Sequence, residues 1–542
     1  MRVFACTAVV TGCTGVIQEP SEQPNGPPTA EPPGSEQPGG EPPGSEVPQP
    51  SACASAELPV DKPRRLNINE LNTIAKDVLL ADDQPFSIIG NDYGERVGSF
   101  LGTSERFLTE YLDAAQAVAT RFVDGQNLAA QCDTPSPACA VDVLRPIAER
   151  LLGHPMSDSE ANSLGSFVTS ANDLELPFAD ALAAGLTAVL VSPDFLIVGT
   201  EAEAQAGVYA LSGYARAERL ALALWSSVPD AALLAAAADG SLNTAEGLEA
   251  QVRRMLDDPE KGARFLDGFV ESHIDLPSGI AVPLGLEPLG AEGERLANDM
   301  RTEARMLIQS VFDQNMPLER LVSGTTTFMN ERLASYYGID GVTGDDFVEV
   351  STEGTPRVGG LLTSGAILAQ EGDLIHRGVN VLQSYLCQTF VAPDPDVIEE
   401  ALRELPANAT VREEVAFRTR DGCRGCHMAI DPLGAAFEMF DDAGRIRDSY
   451  PNGDSVAYES VYNGQTIRSP ADVTRMVVDG AFRTCLTSQV LGWVSFRRLN
   501  TFSLKDRCAT ESLLTSVGDQ AQFKDIVVKA FLTDTFTNRV VE

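Results

Sequence analysis

The chain has 542 residues, 43% of them hydrophobic, and carries 78 acidic against 40 basic side chains for a net charge of -38. That length and apolar content suit several folded domains and exclude a wholly disordered chain. The acidic balance argues against nucleic-acid binding and against adhesion to anionic lipid by charge, while a solvated acidic surface, a life at high salt or a basic redox partner all fit it.

The chain opens like an export signal. Arg2 precedes a short apolar run over residues 3–10, and Val10-Thr11-Gly12-Cys13 matches a bacterial lipoprotein cleavage box, which marks Cys13 for lipidation. Residues 14–60 are rich in Pro, Gly, Glu, Gln and Ser, with Glu-Pro-Pro-Gly-Ser-Glu at 31–36 and again at 41–46. Such a segment cannot bury enough apolar surface to fold, so it reads as an extended tether. No later run of 18 or more apolar residues follows, so membrane contact is expected through the lipid alone.

Folded sequence starts near Pro63. Leu66, Leu71, Ile74, Val78 and Leu79 recur at helical spacing, with Asn67 or Asn69 available to cap the helix. Further helices are expected over 104–123, 140–152 and 179–191, the last stopped by Ser192-Pro193. Ser212 is placed to cap the apolar stripe of Tyr214, Ala217, Ala221, Leu224 and Trp225, and Asn243 with Glu246 is spaced as a capping box. Helical pattern returns over 301–312 and 330–337, where Gly338 ends it. Between 345 and 395 the composition turns linker-like, with Pro393 and Pro395, around one helix at 377–386. A helix over 411–420 runs into Cys423. Asp431-Pro432-Leu433-Gly434 reads as a turn and Pro451-Asn452-Gly453-Asp454 as the tip of a hairpin. Helices over 470–479, 483–497 and 523–533 close the chain.

Eight cysteines remain once Cys6 and Cys13 are assigned to the signal. Setting Cys423 and Cys426 aside leaves six, an even number suited to an oxidising compartment. Cys132 and Cys139 flank a Pro-containing turn. Cys485 with Cys508 would staple two C-terminal helices, and Cys53 with Cys387 is left by elimination.

The chemistry lies in Cys423-Arg424-Gly425-Cys426-His427. This is the C-x-x-C-H pattern of covalent c-type haem attachment, in which two thiols on one helical turn form thioethers and the following histidine faces the iron. The residues also allow a plain Cys423–Cys426 disulfide. A zinc site would need a second ligand pair of suitable spacing, which the chain lacks. If haem is attached, His427 is its proximal ligand, and a backbone carbonyl near Pro432 is the expected acceptor for the other ring nitrogen. Met476, Met439 and His376 are the candidates for a sixth ligand. His154 and His273 read as ordinary histidines. Asp448, Tyr450, Asn452, Gly453 and Glu459 faintly copy a calcium loop, but Tyr450 supplies no carboxylate and Pro451 distorts the run.

The chain resembles an exported family, abundant in planctomycetes and myxobacteria, built from tandem domains of unknown function with a C-x-x-C-H segment near the C-terminal end. The matching pieces occur in the family's order: Arg64-Arg65-Leu66 with Glu70 and Asn72, then Ser192-Pro193-Asp194-Phe195-Leu196, then Phe328-Met329-Asn330-Glu331-Arg332-Leu333-Ala334. Gly360-Leu361-Leu362-Thr363, His376-Arg377-Gly378, Cys423 through Gly434, Phe437-Glu438 and Phe440-Asp441 follow. The resemblance implies an exported protein with a cytochrome-like segment and no established activity; some relatives carry a cellulose-binding label.

The expected fold is mainly α, a multidomain helical protein with a small cytochrome c-like segment near the C-terminus and little β. The expected layout is a signal with lipobox (1–13), a tether (14–60), helical domains at 61–130, 131–205 and 206–345, a linker-like domain (346–400), the haem-attachment segment (401–460) and a C-terminal helical domain (461–542). The expected function is that of an exported, periplasmic or cell-surface lipoprotein carrying haem c for electron transfer with a redox partner protein. The alternatives are a non-enzymatic carbohydrate-binding surface protein and a haem peroxidase or oxidase.

Overall fold

The computed structural model describes residues 53, 58, 63–88, 105–172, 176–199, 206–273, 282–390, 403, 411–418, 423–456, 459–497, 503–518, 520 and 522–541. The export signal with Cys13, most of the tether, Pro393 and Pro395 lie outside the described residues. Residues Met1–Glu41 and Pro42–Glu542 are separate units, and everything described belongs to the second.

Helices dominate, with four two-stranded sheets among the described residues. The first helix, Ile68–Leu79, starts where Asn67 accepts from the Glu70 backbone while the Glu70 side chain accepts from Asn67, a reciprocal cap. Glu70 is fully buried and takes two hydrogen bonds from Arg64, at 2.7 and 2.8 Å. Arg64–Arg65 pairs antiparallel with Ile197–Val198, so two sequence pieces some 130 residues apart share one edge. Helices Glu105–Gly125, Pro137–Leu152, Asp158–Asn172 and Phe178–Leu190 pack on one another in this first half. Ser192-Pro193 does end Phe178–Leu190, but it also opens a short helix, Pro193–Leu196, with Ser192 as its cap.

Ser212 caps Gly213–Trp225 as its position suggests. The Asn243–Glu246 box does not form. Thr244 is the capping residue of Ala245–Leu256, because Ser241–Asn243 is taken up in a 3-10 turn. The central core is aromatic. Trp493 from the helix Phe482–Val494 meets Phe265 and Phe269 edge-on and donates to the Ala223 carbonyl at 3.0 Å. Phe523, from Phe523–Ala530, packs against Phe312 of the long helix Ala291–Asp313. The C-terminal helices thus fill the core of a bundle laid down some 200 residues earlier. The strand Asn538–Val541 pairs antiparallel with Gly207–Ala210.

Ala291–Asp313 also carries the buried carboxyl of Glu303. It accepts from Thr327 at 2.9 Å and from Tyr337 at 2.7 Å, and burial raises its pKa. The Tyr337 hydroxyl accepts from the Gly365 backbone, and Arg357 lies over its ring at 3.5 Å. Asn330 caps Glu331–Tyr337, which ends at Gly338 in the left-handed conformation. The 377–386 expectation is met by two pieces, the helix Leu374–Asn380 and a π-helical turn over Val381–Tyr385.

The disulfides are Cys132–Cys139, Cys387–Cys485 and Cys53–Cys508. The first agrees with the sequence reading; the other two replace the expected Cys485–Cys508 and Cys53–Cys387. Tertiary packing explains the exchange. Phe482–Val494 packs against the turn Val381–Tyr385, which delivers Cys387 to Cys485 with their Cα atoms 5.3 Å apart. Cys508, on the neighbouring helix Leu504–Val517, is then left to receive Cys53 from the N-terminal side.

Candidate functional site

One helix, Arg424–Ala435, holds the C-x-x-C-H residues in its first turn. Cys423 occupies the cap position, and the His427 backbone N–H donates to its carbonyl at 3.2 Å. Cys426 and His427 follow within the same turn, so both thiols and the imidazole sit together at the N-terminal end. All six other cysteines found among the described residues are in disulfides; Cys423 and Cys426 are both free and half-buried. Arg424, Gly425 and Met428 are exposed, and a Cβ placed on Gly425 would meet nothing within 4 Å.

His427 is held from behind. Its Nδ1 lies 2.8 Å from Asp431 Oδ1, one helical turn on, and its Nε2 makes no hydrogen bond among the described residues. Asp431 is 2% exposed, and its Oδ2 lies 3.4 Å from Nε of Arg418. Arg418 belongs to the preceding helix Val411–Arg418 and is also 3.3 Å from Glu414.

The sequence points to a backbone carbonyl near Pro432 as the acceptor; the partner of Nδ1 is instead the Asp431 side chain, and the Pro432 carbonyl accepts from the Ser460 hydroxyl at 2.8 Å. Pro432 itself lies inside the helix, so Asp431-Pro432-Leu433-Gly434 is not a turn. Proline removes one helical donor, the one that would otherwise meet the Met428 carbonyl four residues back. Helical continuity is what sets Asp431 four residues from His427 on one face. An i,i+4 count from His427 would have found Asp431 in the sequence; the turn reading of Asp-Pro concealed it. Arg418 gives no comparable signal.

The rest of the helix is buried. Gly434 lies against the Leu374 carbonyl and Gly378 against the Ile430 carbonyl, so closely that neither has room for a Cβ. These contacts make Leu374–Asn380 antiparallel to Arg424–Ala435. Arg377, 3% exposed, donates to the carbonyls of Phe437 and Phe440 at 3.0 and 2.9 Å, and also to Leu368 and Asp441. Burial lowers its pKa to about 10, the nearby Glu438 opposing. Arg447 closes the far side on Glu438 at 2.9 Å. The pieces His376-Arg377-Gly378, Phe437-Glu438 and Phe440-Asp441 are therefore one clamp on the motif helix.

His376 sits on the Ile430–Gly434 half of that helix pair, exposed, with its Nδ1 2.8 Å from Asp373. Met439 is half-buried just beyond the helix, against the core. Met476 is half-buried on Pro470–Asp479, which packs on Arg320–Ser323, Gly360–Thr363 and Phe482–Val494. The structure groups Cys423, Cys426 and His427 with Asp431 and Arg418. His273 stacks on Phe269, and His154 contacts the Pro155 carbonyl. The calcium-like run forms a hairpin turn, with Ser449 bridged to Ser455, and no cluster of metal-ligating side chains occurs among the described residues.

The donor set fits a c-type haem: two unpaired thiols on one turn, a following imidazole fixed through Nδ1 with Nε2 unengaged, and open space over Gly425. Cys423 and Cys426 would carry the thioethers and His427 would face the iron.

Residues 211–339 match the family model PSD4, protein of unknown function (DUF1592), and residues 358–450 match PSCyt3, protein of unknown function (DUF1588). The chain thus carries two domains of unknown function in tandem, and the second spans the whole C-x-x-C-H helix. No curated protein and no solved structure matches the chain.

Proposed function

We propose that this chain is an exported, lipid-tethered c-type haem protein of the cell envelope that exchanges electrons with a partner protein. The observation that carries the reading is the pair of free thiols at Cys423 and Cys426, beside His427, in a chain whose other described cysteines are all bridged. Three disulfides suit the oxidising compartment in which c-type haem is installed. The name PSCyt3 on the segment spanning the motif is in keeping with this, as is the lipoprotein box ending at Cys13. No helix among the described residues is long and apolar enough to cross a membrane, so the anchor is assigned to the lipid.

When bound, the haem supplies a one-electron centre that cannot diffuse away. The protein's part is positional. Cys423 and Cys426 fix the group covalently, Asp431 fixes the ring of His427, and the clamp through Gly378, Gly434 and Arg377 keeps the helix from shifting. The test is purification of the mature chain from cells competent in cytochrome maturation. Covalent haem, seen as added intact mass and a haemochrome spectrum and lost in C423S/C426S, is the expected result. A colourless protein with Cys423 and Cys426 joined to each other would overturn the proposal.

A further inference from the structure

We infer that Asp431, steadied by Arg418, is a positioning residue that gives the proximal imidazole of His427 anionic character and so lowers the reduction potential. This inference rests on the haem reading above and deepens it.

The argument begins with the acceptor. A backbone carbonyl is a neutral partner for an imidazole N–H, whereas Asp431 offers a carboxylate oxygen at 2.8 Å. Charge-assisted hydrogen bonds are roughly twice as strong as neutral ones. Asp431 is 2% exposed, so water does little to weaken the contact. A carboxylate behind a ligating histidine raises the basicity of the nitrogen that faces the metal, which stabilises the more oxidised iron.

The local structure makes this choice of acceptor firm. The backbone carbonyl of Pro432 accepts from Ser460, and it is the Asp431 carboxylate that meets Nδ1. Helix continuity through Pro432 aligns Asp431 with His427, and Ile430 and Leu433 on either side are buried in the core. Arg418 approaches the other carboxylate oxygen at 3.4 Å while sharing its charge with Glu414. That ion pair orients Asp431 and offsets part of its charge, so the pull on His427 is what remains after Arg418 has taken its share. The carboxylate therefore shifts the potential downward from the value that a neutral acceptor behind His427 would give.

Two measurements test this on the full chain. In haem-free protein, nitrogen-15 NMR of His427 should show the proton on Nδ1 with a strongly hydrogen-bonded shift, which D431N weakens. In haem-loaded protein, D431N should raise the midpoint potential by a tenfold change in the reduction equilibrium or more, about 59 mV for one electron. R418Q should move the potential the opposite way, since it frees the carboxylate. A merely structural role would lower the melting temperature of both variants and leave their potentials with the wild type. Equal potentials in the wild type and D431N, with an unchanged Nδ1 signal, would sink the inference and leave haem attachment standing. A colourless preparation would instead sink the haem reading itself.

Discussion

The two ends of the helix Arg424–Ala435 are built to opposite specifications. Its first turn holds two free thiols, an imidazole and an exposed Met428, and a Cβ on Gly425 would touch nothing within 4 Å. Its last turn is shut. Gly434 is pressed on a carbonyl of the neighbouring helix, Leu433 has no exposed surface, and Arg377 ties down the carbonyls that follow. A rigid rear half lets an open front half keep its place. The same residue type serves both ends for contrary reasons, since glycine at 434 permits contact and glycine at 425 leaves room.

That contrast can be broken first at Gly434. G434A forces a methyl into the Leu374 carbonyl and should cost about 3 kcal/mol, read as a large fall in the denaturation midpoint. A smaller loss is expected from R377M, which keeps the apolar stem but leaves several buried carbonyls without their donor, about 2 kcal/mol by the same assay. G425A should do the reverse: alanine favours helix by about 0.5–1 kcal/mol and meets no obstacle, so stability should hold or rise slightly. If G425A proved as damaging as G434A, the open front would be disproved.

The smallest effect concerns His376 at the start of the clamping helix. Its hydrogen bond with Asp373 raises the imidazole above the ordinary 6.5. The folded state then holds this proton more tightly than the unfolded chain. The resulting stabilisation is complete below pH 6.5 and disappears as the pH rises through the higher folded value. Both groups are exposed, so the change should be slight. Denaturant titrations of the wild type and H376A across neutral pH should converge at the alkaline end.

Local signals in the sequence were read well wherever one residue fixes one piece of backbone. Asn67, Ser212 and Gly338 mark helix ends because each supplies its own hydrogen bond or left-handed turn. The tip at Pro451-Asn452-Gly453 is of the same kind, and the low strand content follows from the helical periodicity. The strength of packing was not legible. Pro432 speaks for a turn by every local rule, yet the clamp holds it within a helix, and that alone puts Asp431 under His427. The disulfides miscarried for a related reason: elimination in sequence has no knowledge of which helix lies beside the turn Val381–Tyr385. The thiol pair was found by spacing alone, and the structure shows both thiols free on one helical turn.

The bond between Cys53 and Cys508 has a mechanical meaning. Tension applied ahead of Cys53 passes directly through sulfur into the helix Leu504–Val517, bypassing the peptide that leads to Arg64–Arg65. Pulling would therefore load that helix before it could unzip the two-residue strand from Ile197–Val198. Under a reducing agent the same force would reach the strand directly, and single-molecule stretching should show a weaker first rupture.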